Sequence, residues 1–334
     1  MTFQIKPLRA AFAAAIALAA SLGSAEAREM RVSSFEPAPG FFSQTLQAWI
    51  DEVNPQLSDG NQFKLYPGGI LGSPPAQAEL VAAGVADVAF VVPTYSAGVY
   101  PMTSVVEIPG IASDAATGTA VLNGLMDEGL LGDEFSEYKI IALFSTPGYR
   151  IFTSGEGAAS ADDLAGLKMR SPSPFGSALL DSLGAAGVPM PAPQVYENIE
   201  RNVVSGAAWT MDAYRTFRLY EVAPNVTETR FIASPLVFLM NMNTYNSLPD
   251  ADKAVIDAMS LSQRSAWVAE RIDTGEATIE AEMRAAGEVN FISLDDQATA
   301  DWNAALAGAS NLWLSDKPEA AVAVLDRARE LSGE

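Results

Sequence analysis

Near the N-terminus of the chain, short apolar segments alternate with segments of helical spacing. The apolar segments 29–35, 63–66 and 87–92 are typical of strands. Residues 41–53 place their apolar side chains on one helical stripe, and 76–83 form a second helical segment. This β-α-β-α-β order predicts a parallel sheet covered by helices, in which ligands bind beyond the carboxyl ends of the strands.

A second α/β unit follows, and the 334 residues suffice for two domains of ordinary size. The later predicted strands are 140–144, 150–153, 167–170, 188–190 and 231–240, and the predicted helices are 175–183, 195–202, 250–283 and most of 297–331. Because the chain builds two α/β units with several crossovers, we expect a cleft between them.

The first 27 residues have the order of a secretory signal peptide. Lys6 and Arg9 precede the apolar run 10–22, and Ala25-Glu26-Ala27 supplies the small residues of a cleavage site. The apolar run is shorter than the roughly 20 residues that span a bilayer, and a buried N-terminal helix is the alternative. The sequence therefore predicts cleavage after Ala27 and a mature protein in the periplasm.

The composition excludes several classes of function. The chain has no His and no Cys, so it lacks a thiol nucleophile, a Ser-His pair and imidazole metal ligands. The formal net charge of -21 disfavours binding to nucleic acid. We expect neither a cofactor nor a metal ion.

Positive charge is absent from Leu65 through Tyr138 and returns at Lys139. An organic anion would therefore be held by the second unit. Arg170 is the best candidate, because it ends a predicted strand and its planar fork suits a carboxylate. Arg150 follows a Pro-Gly turn and is placed similarly. The alternative for both is a surface ion pair of little consequence.

Several short motifs, in order, resemble the solute-binding subunits of tripartite ATP-independent periplasmic (TRAP) transporters, the DctP-like family. The motifs are Leu65-Tyr66-Pro67-Gly68-Gly69-Ile70-Leu71-Gly72, Gly84-Val85-Ala86-Asp87-Val88-Ala89, Gly148-Tyr149-Arg150, Asp163-Leu164-Ala165-Gly166-Leu167-Lys168-Met169-Arg170, Gly184-Ala185-Ala186-Gly187-Val188-Pro189-Met190-Pro191 with Val195-Tyr196, and Met240-Asn241 with Leu248-Pro249.

The resemblance implies a role for three residues. The arginine that matches Arg170 grips the ligand carboxylate in the family, the one that matches Arg150 often assists, and the segment around Trp209 often lines the pocket. The chain departs from the family where Val-Asp-Gly is usual, since it has Val204-Ser205-Gly206 and no acidic residue shortly after. This departure leaves open the ligand contacts there and any accompanying metal ion.

The resemblance also implies the architecture of a two-domain α/β periplasmic binding protein with parallel or mixed sheets, which closes by hinge motion. We expect crossovers near 145–148 and near Ser234, and a long spanning helix around 250–283. Domain I is then 28–146 with 235–274, and domain II is 147–234 with 275–334. The predicted partners are a small organic anion and the small and large membrane subunits of a transporter, and the protein is expected to be a monomer.

Four further residues are candidate ligand contacts, each with a structural alternative. Tyr95 follows a strand end and could cover the ligand or lie on the rim, and Gln77 opens a helix after two prolines. Asn241 ends an apolar strand and could instead tie the backbone. Phe175 follows Pro174 and could instead begin a helix core.

Two other classes of function stay open on the sequence alone. An exported lyase or glycosidase would need two facing carboxyls, and Glu36, Glu107 and Asp212 lie near expected strand ends without a paired motif. A sensory module for another membrane protein is the second alternative. The preferred ligand is a small carboxylate, with a weak preference for one carboxylate on a neutral or apolar remainder.

Overall fold

The structure is a computed structural model that describes residues 28–58 and 60–333. The predicted signal peptide therefore lies outside the described residues. None of the helices in the described residues is long and apolar enough to cross a membrane. The strands are β1 (Glu29–Ser33), β2 (Gln62–Tyr66), β3 (Val88–Val91), β4 (Tyr138–Ser145), β5 (Arg150–Thr153), β6 (Lys168–Ser171), β7 (Ala186–Pro189), β8 (Gly206–Trp209), β9 (Asn225–Thr227), β10 (Pro235–Asn241) and β11 (Asn290–Ile292).

Helices surround these strands in both units. The α-helices are α1 (Phe41–Val53), α2 (Gln77–Ala82), α3 (Ala115–Asp127), α4 (Pro174–Ser182), α5 (Val195–Glu200), α6 (Met211–Thr216), α7 (Met242–Ser247), α8 (Asp250–Ile256), α9 (Leu261–Ala286), α10 (Asp296–Ala305), α11 (Ala309–Leu314) and α12 (Ala321–Ser332). Short 3-10 helices lie at Asn54–Gln56, Pro74–Ala76, Pro93–Tyr95, Thr103–Glu107, Ala161–Leu164, Ala192–Gln194 and Leu219–Glu221.

The first sheet has the strand order β2-β1-β3-β10-β4. The strands β1, β2 and β3 run parallel, as the alternating sequence pattern predicted, while β10 pairs antiparallel with both β3 and β4. All seven residues of β10 are buried, which is why its sequence reads as a continuous apolar run.

The second sheet has the order β11-β9-β5-β8-β6-β7. The strands β6, β7 and β8 run parallel, so the end of β6 at Arg170 and Ser171 lies beside the end of β8 at Trp209. Strand β5 runs antiparallel to β8 and begins with Arg150 opposite Trp209. A Cβ at Gly206 would clash with the carbonyl oxygen of Phe152, so the close pairing of β5 and β8 requires glycine there.

Two extended segments, 146–149 and 229–234, connect the sheets and are bonded to each other. Thr146 N donates to Ser234 O (3.0 Å), and Phe231 N donates to Tyr149 O (2.9 Å). These crossovers lie where we expected them. The structure confirms a two-domain α/β periplasmic binding protein fold.

The long helical pattern predicted at 250–283 is wrong in one respect, because it contains two helices, α8 and α9. The helix α9 begins at a capping box, in which Ser260 accepts from Gln263 N and the Gln263 side chain accepts from Ser260 N. With 26 residues, α9 is about 39 Å long and packs against β4 and α3 in the first domain and α6 in the second.

The C-terminal helix also differs from expectation. We expected 275–334 to remain with the second unit, but α12 packs against α3 of the first. Arg327 Nη2 on α12 lies 2.7 Å from Glu128 Oε1, directly after α3. Three buried apolar side chains of α12, Ala321, Val324 and Leu325, show why the chain returns to cover α3.

Candidate functional site

Arg170 occupies the end of β6 and is fully buried between the two domains. Its Nε donates to Met190 O (3.0 Å), its Nη1 to Ala208 O (3.3 Å) and its Nη2 to Tyr95 Oη (3.4 Å). Arg170 forms no ion pair with any residue in 28–58 or 60–333. Burial lowers the pKa of its guanidinium, because the charged form has lost its water. The side chain is thus fixed by neutral acceptors and keeps an uncompensated charge.

Trp209 and Tyr95 hold this guanidinium from opposite domains. The guanidinium carbon of Arg170 lies 4.0 Å from the centroid of the Trp209 ring, which stacks on Phe217 at 5.2 Å. Tyr95, in the 3-10 helix after β3, accepts a hydrogen bond from Ala192 N (3.2 Å) with the same hydroxyl that Arg170 contacts. Its hydroxyl therefore links the two domains at the arginine.

The space beside Arg170 is a cavity of about 30 Å³, and seven of its seventeen lining residues are aromatic. Phe90 is at the centre of the first domain's part of the wall, with its ring centroid 4.8 Å from Phe35 and 4.5 Å from Phe42. The crossover residues Thr146 and Tyr149 close one side. The remaining lining residues are Glu36, Val92, Tyr95, Pro172, Ala192, Trp209, Thr210, Asp212, Ala213, Phe217 and Leu236.

Two carboxyl side chains also face this cavity. Glu36 follows β1, and burial, together with the charge of Asp212, raises its pKa to about 8. Asp212 lies in the first turn of α6, and burial raises its pKa as well. Glu276 of α9 lies behind Asp212 and accepts from Met211 N (3.0 Å) and Asp212 N (2.7 Å). The cavity therefore combines one buried cation with an acidic section of wall.

Three of the predicted contact residues, Arg170, Trp209 and Tyr95, come together at this cavity. Arg150 does not, because its guanidinium pairs with Glu280 of α9. It starts β5 at the same edge of the sheet, yet its side chain reaches the helix that covers the sheet.

Asn241, Gln77 and Phe175 also lie outside the cavity lining. The Asn241 side chain caps α7 by accepting from Thr244 N (2.8 Å) and donates to Val81 O (2.7 Å). Gln77 donates to Gly72 O (2.9 Å) and stabilises the loop before α2. Phe175 lines a separate groove at the outer edge of the domain boundary. Asn241 and Gln77 thus bond to the protein itself in this structure, away from the cavity at Arg170.

Sequence reasoning missed most of the cavity wall. Phe42 was expected in the core, where it indeed packs, but it also lines the cavity. Glu36 and Asp212 were considered only as enzyme candidates without a paired motif, and the structure places them on one cavity. Their proximity could not be read from the chain, because 175 positions separate them. Among the described residues, no group of three or more acidic side chains could hold a metal ion.

Comparison with known proteins agrees with this geometry. The family model for bacterial extracellular solute-binding protein, family 7 (DctP), matches residues 38–312. A solute-binding protein of Sulfitobacter sp. (strain NAS-14.1) is 28% identical over 298 residues, which cover 84% of this chain and 89% of that protein.

Solved structures are similar over nearly the whole chain. A marine metagenome TRAP solute-binding protein specific for aromatic acid ligands, in complex with metahydroxyphenylacetate, matches with a TM-score of 0.85 and 27% identity over 91% of this chain and 98% of that chain. Its complex with 3-hydroxybenzoate matches with a TM-score of 0.87 and 25% identity over 92% and 99% of the two chains.

The resemblance seen in the sequence is thereby confirmed. Neither the lyase nor the glycosidase alternative is favoured, because the matching family consists of substrate-binding proteins. Its members work outside the cytoplasm and bind small organic acids for transport. The chain belongs to the DctP family of bacterial extracellular solute-binding proteins, the binding subunits of TRAP transporters.

Proposed function

We propose that this protein captures an aromatic monocarboxylate beside Arg170 and delivers it to the membrane subunits of a TRAP transporter. The buried guanidinium of Arg170 carries the proposal, because it has no ion pair among residues 28–58 and 60–333. Burying a charge without a counterion is unfavourable, and a ligand carboxylate would supply the counterion together with charge-assisted hydrogen bonds.

The aromatic side chains of the wall favour a ligand whose part beyond the carboxylate is flat and apolar. Trp209, Phe217, Phe35 and Phe90 surround the space, and aromatic rings favour offset-stacked or edge-to-face contacts with one another. The cavity of about 30 Å³ is far smaller than the roughly 300 Å³ at the lower end of small-molecule sites, so the two domains must separate to admit a ligand. The aromatic acids bound by the marine relative, which is 27% identical, fit the same description.

The position of the cavity supports capture by domain closure. Tyr95 and Phe90 come from the first domain, Arg170 and Trp209 from the second, so a ligand here is enclosed on both sides. We assign the hinge to the crossovers 146–149 and 229–234. In this assignment 28–146 moves with 235–274, and 147–234 moves with 275–320, while α12 remains attached to α3.

The cellular context completes the proposal. Residues 1–27 direct export, the mature protein works in the periplasm as a monomer, and the small and large membrane subunits receive the ligand from it. No catalytic step, cofactor, metal ion or nucleic acid is involved.

A thermal-shift screen tests the function. Benzoate and phenylacetate should raise the melting temperature, because a ligand at 100 times its Kd stabilises the folded state by about 2.7 kcal/mol. Succinate and gluconate should give smaller shifts at equal concentration. The reverse ranking would contradict an aromatic ligand, and chromatographic conversion of benzoate by the protein would contradict a role limited to binding.

A further inference from the structure

Glu36 and Asp212 bring two carboxyl groups to the cavity from opposite domains. Glu36 follows the end of β1, and Asp212 begins α6 directly beyond β8. Their exposed fractions are 3% and 2%, and both residues line the space beside Arg170. Two acidic groups with so little access to solvent are unusual in the wall of a site built for an anion.

The hydrogen bonds of Glu36 are confined to one of its oxygens. Oε2 accepts from Phe42 N (2.8 Å) and Ser43 N (3.4 Å) at the start of α1. Within the described part of the chain, Oε1 accepts from no donor. Because its partner oxygen anchors the carboxyl to α1, Oε1 has a fixed position from which it can receive a donor.

The carboxyl group of Asp212 has fewer hydrogen bonds than that of Glu36. Both of its carboxyl oxygens are buried beside Thr210 and Glu276, which interact with the carboxyl and lower its pKa, but neither oxygen forms a hydrogen bond of normal geometry with a described residue. The carboxyl of Glu276 is its neighbour: burial and the contact with Asp212 raise the pKa of Glu276 well above its ordinary value, and the Glu276 oxygens accept from Met211 N and Asp212 N. A buried acceptor without a donor is a rare and unfavourable arrangement, and it is expected where a guest completes the site.

Among the described residues, no cation fills this role. Neither Glu36 nor Asp212 forms an ion pair with any residue in 28–58 or 60–333. Arg170 is directed to Met190 O, Ala208 O and Tyr95 Oη instead. The cavity lining thus carries one positive group and two acidic groups that form no ion pair with it.

We propose that Glu36 and Asp212 form a subsite for a hydroxyl or amino group that the ligand carries apart from its carboxylate. This inference rests on the proposed binding of an aromatic monocarboxylate at Arg170. A neutral donor satisfies the free carboxyl oxygens without adding negative charge. A second carboxylate would instead meet two acidic groups and no cation. Specificity of this kind comes from polar groups that are left unpaired when the wrong ligand binds.

Calorimetric titration of the wild-type protein with matched benzoates tests the subsite without any mutation. The series is benzoate, its 3- and 4-hydroxy and 3- and 4-amino derivatives, the methyl analogues as shape controls, and isophthalate and terephthalate. We expect the better hydroxy or amino isomer to bind about tenfold or more tightly than its methyl analogue, on the scale of a hydrogen bond to a charged group. The dicarboxylates should bind most weakly.

Three variants then locate the effect. Asp212→Leu should reduce the preference for hydroxyl over methyl to about threefold or less, while Asp212→Asn, which keeps an acceptor, should retain part of it. Glu107→Gln is the matched control, because Glu107 is equally buried, at 1% exposed, but lies in the outer groove rather than on the cavity. It should leave the preference unchanged.

The outcomes separate this inference from the proposed function. Equal affinity for hydroxyl, amino and methyl analogues in the wild type, or tightest binding of a dicarboxylate, would overturn the subsite while benzoate binding still stood. An unchanged preference in Asp212→Leu would overturn the assignment of Asp212. Failure of every benzoate to bind would instead remove the proposed ligand class.

Discussion

Two regions of the molecule treat ionisable side chains in opposite ways: the surface of helix α9 and the cavity beside Arg170. Along α9, Arg150 pairs with Glu280, and Arg284 pairs with both Glu280 and Glu228. In the cavity, Arg170, Glu36 and Asp212 are more deeply buried, and none of them forms an ion pair within residues 28–58 and 60–333.

The pKa shifts follow the same division. Burial opposes ionisation of Glu280, but its hydrogen bonds to Arg150 and Arg284 outweigh burial and lower its pKa. Burial raises the pKa of Glu36 to about 8, since no cation compensates. The ion pairs along α9 form without a ligand, whereas Arg170, Glu36 and Asp212 have no ion-pair partner among the described residues. We therefore assign ligand binding to the deeply buried groups without an ion-pair partner rather than to the more numerous paired ones.

The largest expected effect is on the guanidinium itself. Arg170→Lys keeps the positive charge but loses the planar fork that bonds Met190 O and Ala208 O while presenting donors to a carboxylate. We expect benzoate affinity to fall on the order of 100-fold in calorimetric titration. A Kd within threefold of wild type would mean that a positive charge at position 170 suffices for binding and that the planar shape of the guanidinium contributes little.

The pH dependence of stability tests the unpaired acids. A carboxyl whose pKa is raised on folding binds its proton more tightly in the folded state, so stability falls as pH rises from the unfolded pKa towards the folded one. For Glu36 this interval runs from the ordinary value of 4.5 to about 8. We expect the free energy of unfolding to fall by about 2 kcal/mol between pH 5 and pH 8 in urea titrations.

Glu36→Gln provides the control for this pH dependence. Glutamine cannot titrate, so the fall in stability should be smaller in the variant by the share that Glu36 contributes. A wild-type stability that rises over the same interval would contradict a neutral buried Glu36. The ion-paired Glu280 should contribute in the opposite direction, because its pKa is lowered.

A smaller effect is expected at the contact between the domains. Tyr95→Phe removes the hydroxyl that Arg170 and Ala192 share, while the ring stays in the aromatic wall. Loss of one buried hydrogen-bonding group costs about 1 kcal/mol, which corresponds to roughly fivefold weaker benzoate binding. Unchanged affinity and unchanged ligand dissociation rate in stopped-flow measurements would show that this contact does not stabilise the closed form.

The smallest effect is expected for the paired arginine. Arg150→Ala breaks the ion pair with Glu280 without touching the cavity. Benzoate affinity should stay within about twofold of wild type, and stability should fall by less than about 1 kcal/mol, as for partly exposed pairs. A larger loss of affinity would show that Arg150 leaves Glu280 to assist the ligand.

The strands and the principal arginine could be predicted because local patterns determine them. Apolar periodicity gave the order of elements, and a strand end followed by Ser-Pro placed Arg170 at the ligand edge of its sheet. The break before α9 was also visible in principle, since Ser260 and Gln263 have capping-box spacing. Helix α3 was overlooked, although Asp114 caps it by accepting from Thr117 N.

Other features depend on tertiary structure and leave no local signal. Arg150 and Arg170 both lie at the cleft edge, but a carboxylate of α9 is near only one of them. Asn241 ends a strand that leads straight into α7, and its amide caps that helix by accepting from Thr244 N. Glu36 and Asp212 come from different domains, so they line the same cavity only when the two domains lie against each other.

We propose that Arg170 is the cation that binds the ligand carboxylate. Calorimetric titration of benzoate into wild type, Arg170→Ala and Arg150→Ala tests it directly, with circular dichroism confirming that all three are folded. We expect binding to become undetectable, or at least about 100-fold weaker, only in Arg170→Ala, on the scale of breaking a buried pair. Wild-type affinity in a folded Arg170→Ala protein would contradict it.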